Sequence, residues 1–176
     1  DIAVREACEV PEGFHATLDA LKKRYRYVIH DGPVRDVFQL RYCWHLHKRL
    51  DTAAMDRAAQ LLQGTHDFSS FQTTGSERTS TVRTIFDTQV RRCQAGQGEQ
   101  VSVEVEADGF LYNMVRAIAG TLVAVGTGSR PETWVAEVLE AGNRSAAGQT
   151  APPQGLYLLQ VTYPDQARGQ GRAGES

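Results

Sequence analysis

Residues 109–129 read GFLYNMVRAIAGTLVAVGTGS, an apolar run with a single charged residue. Its larger apolar side chains recur every three or four positions, which predicts a helix with one side in the core. These positions are Leu111, Met114, Val115, Ile118, Leu122 and Val125. The opposite side carries Tyr112, Ala119, Gly120 and Val123. A helix that is apolar nearly all round is expected to be buried, so the rest of the chain must pack around it.

The charged residue in this run is Arg116, and no acid lies three or four positions from it. A buried guanidinium needs a carboxylate, a phosphate or several carbonyl groups, because an unpaired buried charge is costly. Its partner must then come from another segment or from a ligand, which makes Arg116 a candidate site residue. In the alternative, the stem of Arg116 packs in the core and its head reaches water. Asn113, Arg116 and four glycines disfavour a membrane span.

Composition indicates a globular domain of ordinary character. The 176 residues are 41% hydrophobic and 23% charged, and the net charge of −2 gives no overall sign of nucleic-acid binding. Three cysteines, Cys8, Cys43 and Cys93, have no CxxC spacing, which predicts free thiols and a cytoplasmic protein. The chain opens in DIAVREACEV without an initiator methionine, and we expect it to be a fragment.

The remaining segments predict an α+β fold, with helices packed on one face of a mostly antiparallel sheet. Asp51 is a suitable N-cap for a helix over residues 52–63, and Pro131 suits the first turn of another over residues 131–139. Extended segments are expected at residues 2–10, 23–30, 42–46, 81–91, 99–106 and 156–163. HDFSSF, at residues 66–71, is expected to be an ordered loop. We assign residues 1–164 to one domain and 165–176 to a polar, disordered tail.

Two of these strands have faces of different character. Alternation in the later strand turns Val101, Val103 and Val105 inward and Ser102, Glu104 and Glu106 outward. In the earlier strand, Tyr25, Tyr27 and Ile29 share one face, and Arg24, Arg26 and Val28 share the other. Cations neutralise phosphates and flat rings stack on unpaired bases, so this strand predicts RNA binding. The alternative is a tyrosine face in the core and a solvated basic face. The predicted RNA-binding residues are Lys22, Lys23, Arg24, Arg26, Arg78 and Arg83.

Two other chemistries have weaker support. Cys43, His45 and His47 would share a strand face and could bind zinc, but no fourth ligand is spaced nearby, and we predict no metal site. Ser69 or Ser70 with His66 and Asp67 could form a hydrolase triad, yet the sequence has no GxSxG elbow. We expect the side chains of His66 and Asp67 to bond their own loop backbone instead.

Several short motifs follow one another in a specific order. They are Phe14-His15-Ala16, Tyr25-Arg26-Tyr27, HDFSSF at 66–71, Arg83-Thr84-Ile85, Phe110 with Met114-Val115-Arg116, Gly120, Val125-Gly126, Ala151-Pro152-Pro153 and Gly155-Leu156-Tyr157-Leu158. In this order they resemble the C-terminal part of the tRNA pseudouridine synthase A family. The resemblance runs from the first residue to about Asp165 and implies half of a pseudouridine-synthase fold.

The resemblance implies an isomerase that converts uridine to pseudouridine in the anticodon stem-loop of tRNA, without a metal or organic cofactor. The base leaves its stack, is detached from its sugar, rotates and is rejoined through carbon. By match of motif, Tyr25 replaces the lost base stacking, Arg116 pairs with the catalytic aspartate, and Leu156 forms an apolar wall of the base pocket. The implied partners are tRNA and a second copy in a homodimer, with no role for a membrane.

Two departures from the family pattern limit this assignment. The family's catalytic aspartate lies in a GRTDAGVHA-like motif of the N-terminal half, and the sequence contains no such motif. Thr17 also stands where the family usually has an arginine. We therefore expect the N-terminal half to be missing and the chain alone to be inactive. The alternatives are a non-catalytic RNA-binding remnant of the same fold and, from another class, a small soluble scaffold or a metal-binding domain.

Overall fold

The computed structural model describes residues 2–73, 80–95 and 98–165 and confirms the α+β prediction. Its described residues form a mostly antiparallel sheet of six strands and three helices. The strands are β1 (Lys22–His30), β2 (Trp44–His45), β3 (Gly64–Asp67), β4 (Val82–Ala95), β5 (Gly98–Ala107) and β6 (Leu156–Thr162). The helices are α1 (Thr52–Gln60), α2 (Met114–Gly126) and α3 (Trp134–Ala141).

The strand order places β1 next to the middle of the sheet. The order is β2-β1-β5-β4-β3, and β6 pairs with β1 along the same edge as β2. Only the short β1–β2 pair is parallel among the described strands. In the β1–β5 ladder, Tyr27 lies opposite Val103 and Ile29 opposite Val101. The tyrosine face of β1 and the valine face of β5 are therefore one continuous surface.

Helix α2 is buried, as its sequence predicts. Eleven of its 13 residues are buried, including Ile118 at 0% and Leu122 at 1% exposure. It packs with α1 and belongs to the core cluster that also contains the valine face of β5. Asp51 caps α1 as expected, because its side chain accepts a hydrogen bond from the amide of Ala54. Across the described residues, no helix combines the length and hydropathy needed to cross a membrane.

The opposite face of the sheet corrects the expectation that the β5 carboxylates face solvent. Glu104 and Glu106 do lie on that face, but only 5% and 8% of their surfaces are exposed. Long cationic side chains cover them: Arg26 Nη2 lies 2.8 Å from Glu104, and Lys22 Nζ lies 2.9 Å from Glu106. Burial opposes the ionisation of Glu104, but Arg26 and its neighbours outweigh burial and lower its pKa.

Several predicted elements or their boundaries differ from the structure. Residues 2–10 form no strand: Ile2 and Val4 are 96% and 82% exposed, because no neighbouring strand pairs with this segment. Residues 64–67, of which 66 and 67 were expected in a loop, form β3 through pairing with β4, followed by a 3-10 turn at Ser69–Phe71. Helix α3 begins three residues after Pro131. Apart from Asp165, the predicted tail lies outside the described residues.

Candidate active site

The guanidinium of Arg116 is half-buried in the first turn of α2 and bonded to neutral oxygens. Its Nε donates to the carbonyl oxygen of Ala151 at 2.7 Å, and its Nη1 donates to Oδ1 of Asn113 at 2.7 Å. No carboxylate pairs with it within the described part of the chain. The side chain is therefore held in place while its positive charge remains uncompensated.

The loop that carries Ala151 is fixed against α2 by close backbone packing. The amide of Ala151 donates to the carbonyl of Arg116 at 3.1 Å, and the amide of Gly148 donates to Oγ1 of Thr121 at 3.0 Å. Gly120 permits this approach, because a Cβ there would lie 1.7 Å from the carbonyl oxygen of Gln149. The position of the Ala151 carbonyl therefore depends on a glycine in the middle of α2.

Two tyrosines of β1, Tyr27 and Tyr25, lie on the side of the sheet that faces the Ala151 loop. Tyr27 is fully buried, and its hydroxyl donates to the carbonyl of Pro152, the residue after Ala151, at 2.6 Å. Burial raises the pKa of this hydroxyl, and the nearby charge of Arg116 partly opposes that rise. Tyr25 lies two residues away on the same face, about 7 Å along the strand. Its half-buried ring packs edge-on against Phe110, with centroids 5.0 Å apart.

Two of the three leucines of β6, Leu156 and Leu158, line the other side of Tyr25 and Tyr27. Leu156 lies opposite Tyr27, is half-buried and packs against the core. Leu158 lies opposite Tyr25 and is 52% exposed. Both leucines are on the tyrosine face of the sheet, so an apolar wall beside Tyr25 would include Leu158, which the sequence motif alone did not assign. The pocket role of Leu156 stays a prediction.

The predicted RNA-binding cations divide between the two faces of the sheet. Arg24 pairs with Asp87 and Glu106 at 2.8 and 3.2 Å on the far face, together with Lys22 and Arg26. Lys23 alternates onto the tyrosine face, and neither Lys23 nor Arg83 has a carboxylate partner among the described residues. The side chain of Arg83 lies near Gly109, close to Phe110. Arg78 lies outside the described residues.

Sequence reasoning missed Asn113 as a site residue. Its backbone has φ 60°, and its Nδ2 donates to Oγ1 of Thr73 at 2.9 Å while its Oδ1 accepts from Arg116. Asparagine tolerates this left-handed conformation better than most residues, and its place just before a helix was the available signal. The contact with Thr73 joins residues 40 positions apart, and no local pattern predicts it.

The histidine-rich segments have structural partners. Strand β2 is only two residues long; the rings of His45 and His47 are in contact, with centroids 4.5 Å apart, while Cys43 is buried. His45 Nε2 lies 2.8 Å from the carbonyl of Gly32, and the described residues contain no metal-binding group of three or more ligands. His66 bonds the carbonyl of Gln63, and Asp67 accepts from the amide of Ser69, which confirms that both bond nearby backbone, although both lie in β3 and not in a loop.

Comparison with known proteins identifies a family. The sequence model of a family described as tRNA pseudouridine synthase matches residues 58–164. Proteins named tRNA pseudouridine synthase A from Thermoanaerobacter sp., Syntrophotalea carbinolica and Blochmanniella pennsylvanica are 44%, 45% and 44% identical over 93%, 94% and 93% of this chain. The chain spans 65%, 64% and 61% of their lengths. The chain belongs to the tRNA pseudouridine synthase family.

Proposed function

We propose that this chain forms the part of a tRNA pseudouridine synthase that holds the target uridine and supplies the counter-ion of the nucleophile. The reaction is the isomerisation of uridine to pseudouridine in the anticodon stem-loop, without a metal or organic cofactor, as the family resemblance implies. The name of these relatives, tRNA pseudouridine synthase A, supports tRNA as the substrate. The nucleophilic aspartate would come from a segment outside this chain.

The uncompensated charge of Arg116 carries this proposal. Ala151 and Asn113 occupy Nε and Nη1 with neutral oxygens, and Nη2 has no acceptor among the described residues. An incoming carboxylate could bond Nη2 and the remaining hydrogen of Nη1, which is a favourable geometry for an arginine–carboxylate pair. Such a partner would also relieve the cost of a partly buried, unpaired cation.

Tyr25 supports the binding of an extruded base. Flipping a nucleotide costs a few kcal/mol of stacking, which a protein ring can replace. The Tyr25 ring is held at one edge by Phe110 and flanked by Leu158, so it is oriented but not sealed inside the core. Leu156, next to buried Tyr27, would close the apolar side of the pocket. Lys23 and Arg83 are the cations best placed to contact the flanking phosphates.

The sequence supplies no substitute for the family's nucleophile. It has no GRTDAG-like motif, and the buried carboxylate Asp31 is already paired with Arg92 at 2.7 Å. We therefore propose that the 176-residue chain alone is inactive. A cytoplasmic location and a homodimer that grips tRNA with both subunits belong to the same proposal, on the strength of the resemblance.

The second candidate is an RNA-binding protein without catalysis, which the missing aspartate motif favours. Tritium release separates the two, because joining C5 of uracil to the sugar displaces the hydrogen of C5. The chain is incubated with unmodified tRNA tritiated at C5 of uridine, alone and with the GRTDAG-bearing segment of a relative. We expect release only with the added segment and none with Arg116→Ala. Tritium release by the chain alone would refute the proposal that its nucleophile lies outside the chain. Salt-sensitive tRNA binding without tritium release in any mixture would favour the RNA-binding protein without catalysis.

A further inference from the structure

We infer that Asn113 is a positioning residue that fixes the plane of the Arg116 guanidinium. Asn113 occupies the N-cap position of α2, where an asparagine usually accepts a hydrogen bond from a helix amide. Its side chain makes no such bond. Its Oδ1 instead accepts from Nη1 of Arg116 at 2.7 Å. The Asn113 side chain therefore binds the arginine side chain and does not cap the helix.

The orientation of the amide is set from its other side. Nδ2 of Asn113 donates to Oγ1 of Thr73 at 2.9 Å, and that hydroxyl itself donates to the carbonyl of Tyr112 at 3.4 Å. Oδ1 is therefore the atom that faces Arg116, whose guanidinium can only donate. The amide of Thr73 in turn donates to the carbonyl of Tyr112 at 3.3 Å, next to Asn113 in the chain. Asn113 makes these bonds with a φ of 60°, the only positive φ of a non-glycine residue in the described ranges.

Two acceptors on different sides then define the guanidinium plane. The Ala151 carbonyl holds Nε, Asn113 holds Nη1, and both are neutral. Because both acceptors are neutral, they fix the guanidinium plane and leave its positive charge available to pair with the carboxylate of the nucleophile. This inference rests on the proposed pairing of Arg116 with that carboxylate.

Substitution by aspartate separates positioning from a merely structural role. Asn113→Asp keeps the size of the side chain, and the Thr73 hydroxyl can turn from the Tyr112 carbonyl to donate to the new carboxylate. The carboxylate would, however, pair with Arg116 and occupy its charge. Asn113→Gly keeps the left-handed backbone and removes only the amide. Asn143→Gly is the matched control, because Asn143 bonds Ser145 and not Arg116.

The first readout uses the 176-residue chain alone. In chain labelled with ¹⁵N-arginine, Arg116→Lys assigns the Arg116 side-chain signals. We expect Asn113→Gly to collapse the separate Nη1 hydrogen signals through faster rotation about the Cζ–Nη1 bond, while Nε–H, bonded to Ala151, stays protected. Asn143→Gly should leave both unchanged. Unchanged Nη1 signals in Asn113→Gly overturn the inference without any reference to activity.

The second readout is tritium release after addition of the aspartate-bearing segment. We expect kcat to fall roughly 10-fold in Asn113→Gly and about 100-fold in Asn113→Asp with little change in KM, since small misplacements at a reacting centre have effects of this size. Wild-type kcat in Asn113→Asp indicates a structural role and overturns the inference. Full activity of Arg116→Ala instead refutes the proposed role of Arg116, so the two failures are distinguishable.

Discussion

Replacing Gly120 by alanine should displace the loop that presents the Ala151 carbonyl to Arg116. The new Cβ would lie 1.7 Å from the carbonyl oxygen of Gln149 and 2.9 Å from its carbonyl carbon, where atoms cannot coexist. The obstructing group is backbone and cannot rotate away. The Gln149 backbone lies between Gly148 and Ala151, both of which bond to α2, so the strain spreads to both of these contacts.

The magnitude follows from two opposing terms. Alanine is a better helix former than glycine by about 1 kcal/mol, which stabilises any such variant. Overpacking a close contact typically costs about 1–3 kcal/mol and sometimes more. Because the new Cβ would overlap a backbone atom at 1.7 Å, the overpacking cost should reach or exceed the upper end of this range. We therefore expect Gly120→Ala to lower the free energy of unfolding by about 2 kcal/mol or more. Gly126→Ala is the matched control in the same helix, because its Cβ would meet the flexible Met55 side chain, with Sδ at 2.5 Å. Its net effect should lie within about 1 kcal/mol of zero.

Urea unfolding followed by circular dichroism measures both variants under one condition. We expect the midpoint of Gly120→Ala to fall well below that of Gly126→Ala, with similar slopes, which indicates a change in stability and not in compactness. The Arg116 Nε–H signal should also lose protection in Gly120→Ala only. The reasoning is refuted if Gly120→Ala is as stable as Gly126→Ala, since the close approach of the loop would then impose no cost.

Three further predictions concern charged side chains in or next to β1. Burial opposes ionisation of Asp31, but bonds from Arg92 and the Leu50 amide outweigh it and lower its pKa. The ionised Asp31 carboxylate stabilises the fold above its unfolded pKa of about 4, and this stabilisation is lost as pH falls through its folded pKa. Asp31→Asn should therefore lower the free energy of unfolding by about 3–5 kcal/mol at pH 7. In urea unfolding measured from pH 7 downward, the midpoint of this variant should fall less steeply than that of the wild type. Lys23→Ala should weaken tRNA binding and reduce its salt slope by about 1 in filter binding. Arg26→Ala, which deprives buried Glu104 of a partner, should instead cost about 1–3 kcal/mol in unfolding and leave the salt slope unchanged.

Local patterns in the sequence were sufficient to predict α2 and the strand that carries Tyr25. Helical periodicity and β-branched content act within a few residues, so these elements do not depend on distant contacts. Strand β3 was missed because its hydrogen bonds come from β4, and its four residues have no buried face. The roles of Asn113 and Ala151 were missed because they depend on a left-handed backbone and on a loop 35 residues away.

The basic segment of β1 illustrates why a count of cations along a sequence misjudges RNA binding. The register places Arg24 opposite Glu106 and Arg26 opposite Glu104, so the cations of one strand face meet the carboxylates of its neighbour. Most of this charge is neutralised within the sheet before any ligand arrives. Lys23 is not neutralised in this way, because strand alternation places it on the other face, where the neighbouring β5 residue is Ala107. We therefore expect the phosphate contacts of this chain to be few and concentrated beside Tyr25. Its affinity for tRNA should depend on the pocket more than on a broad basic surface.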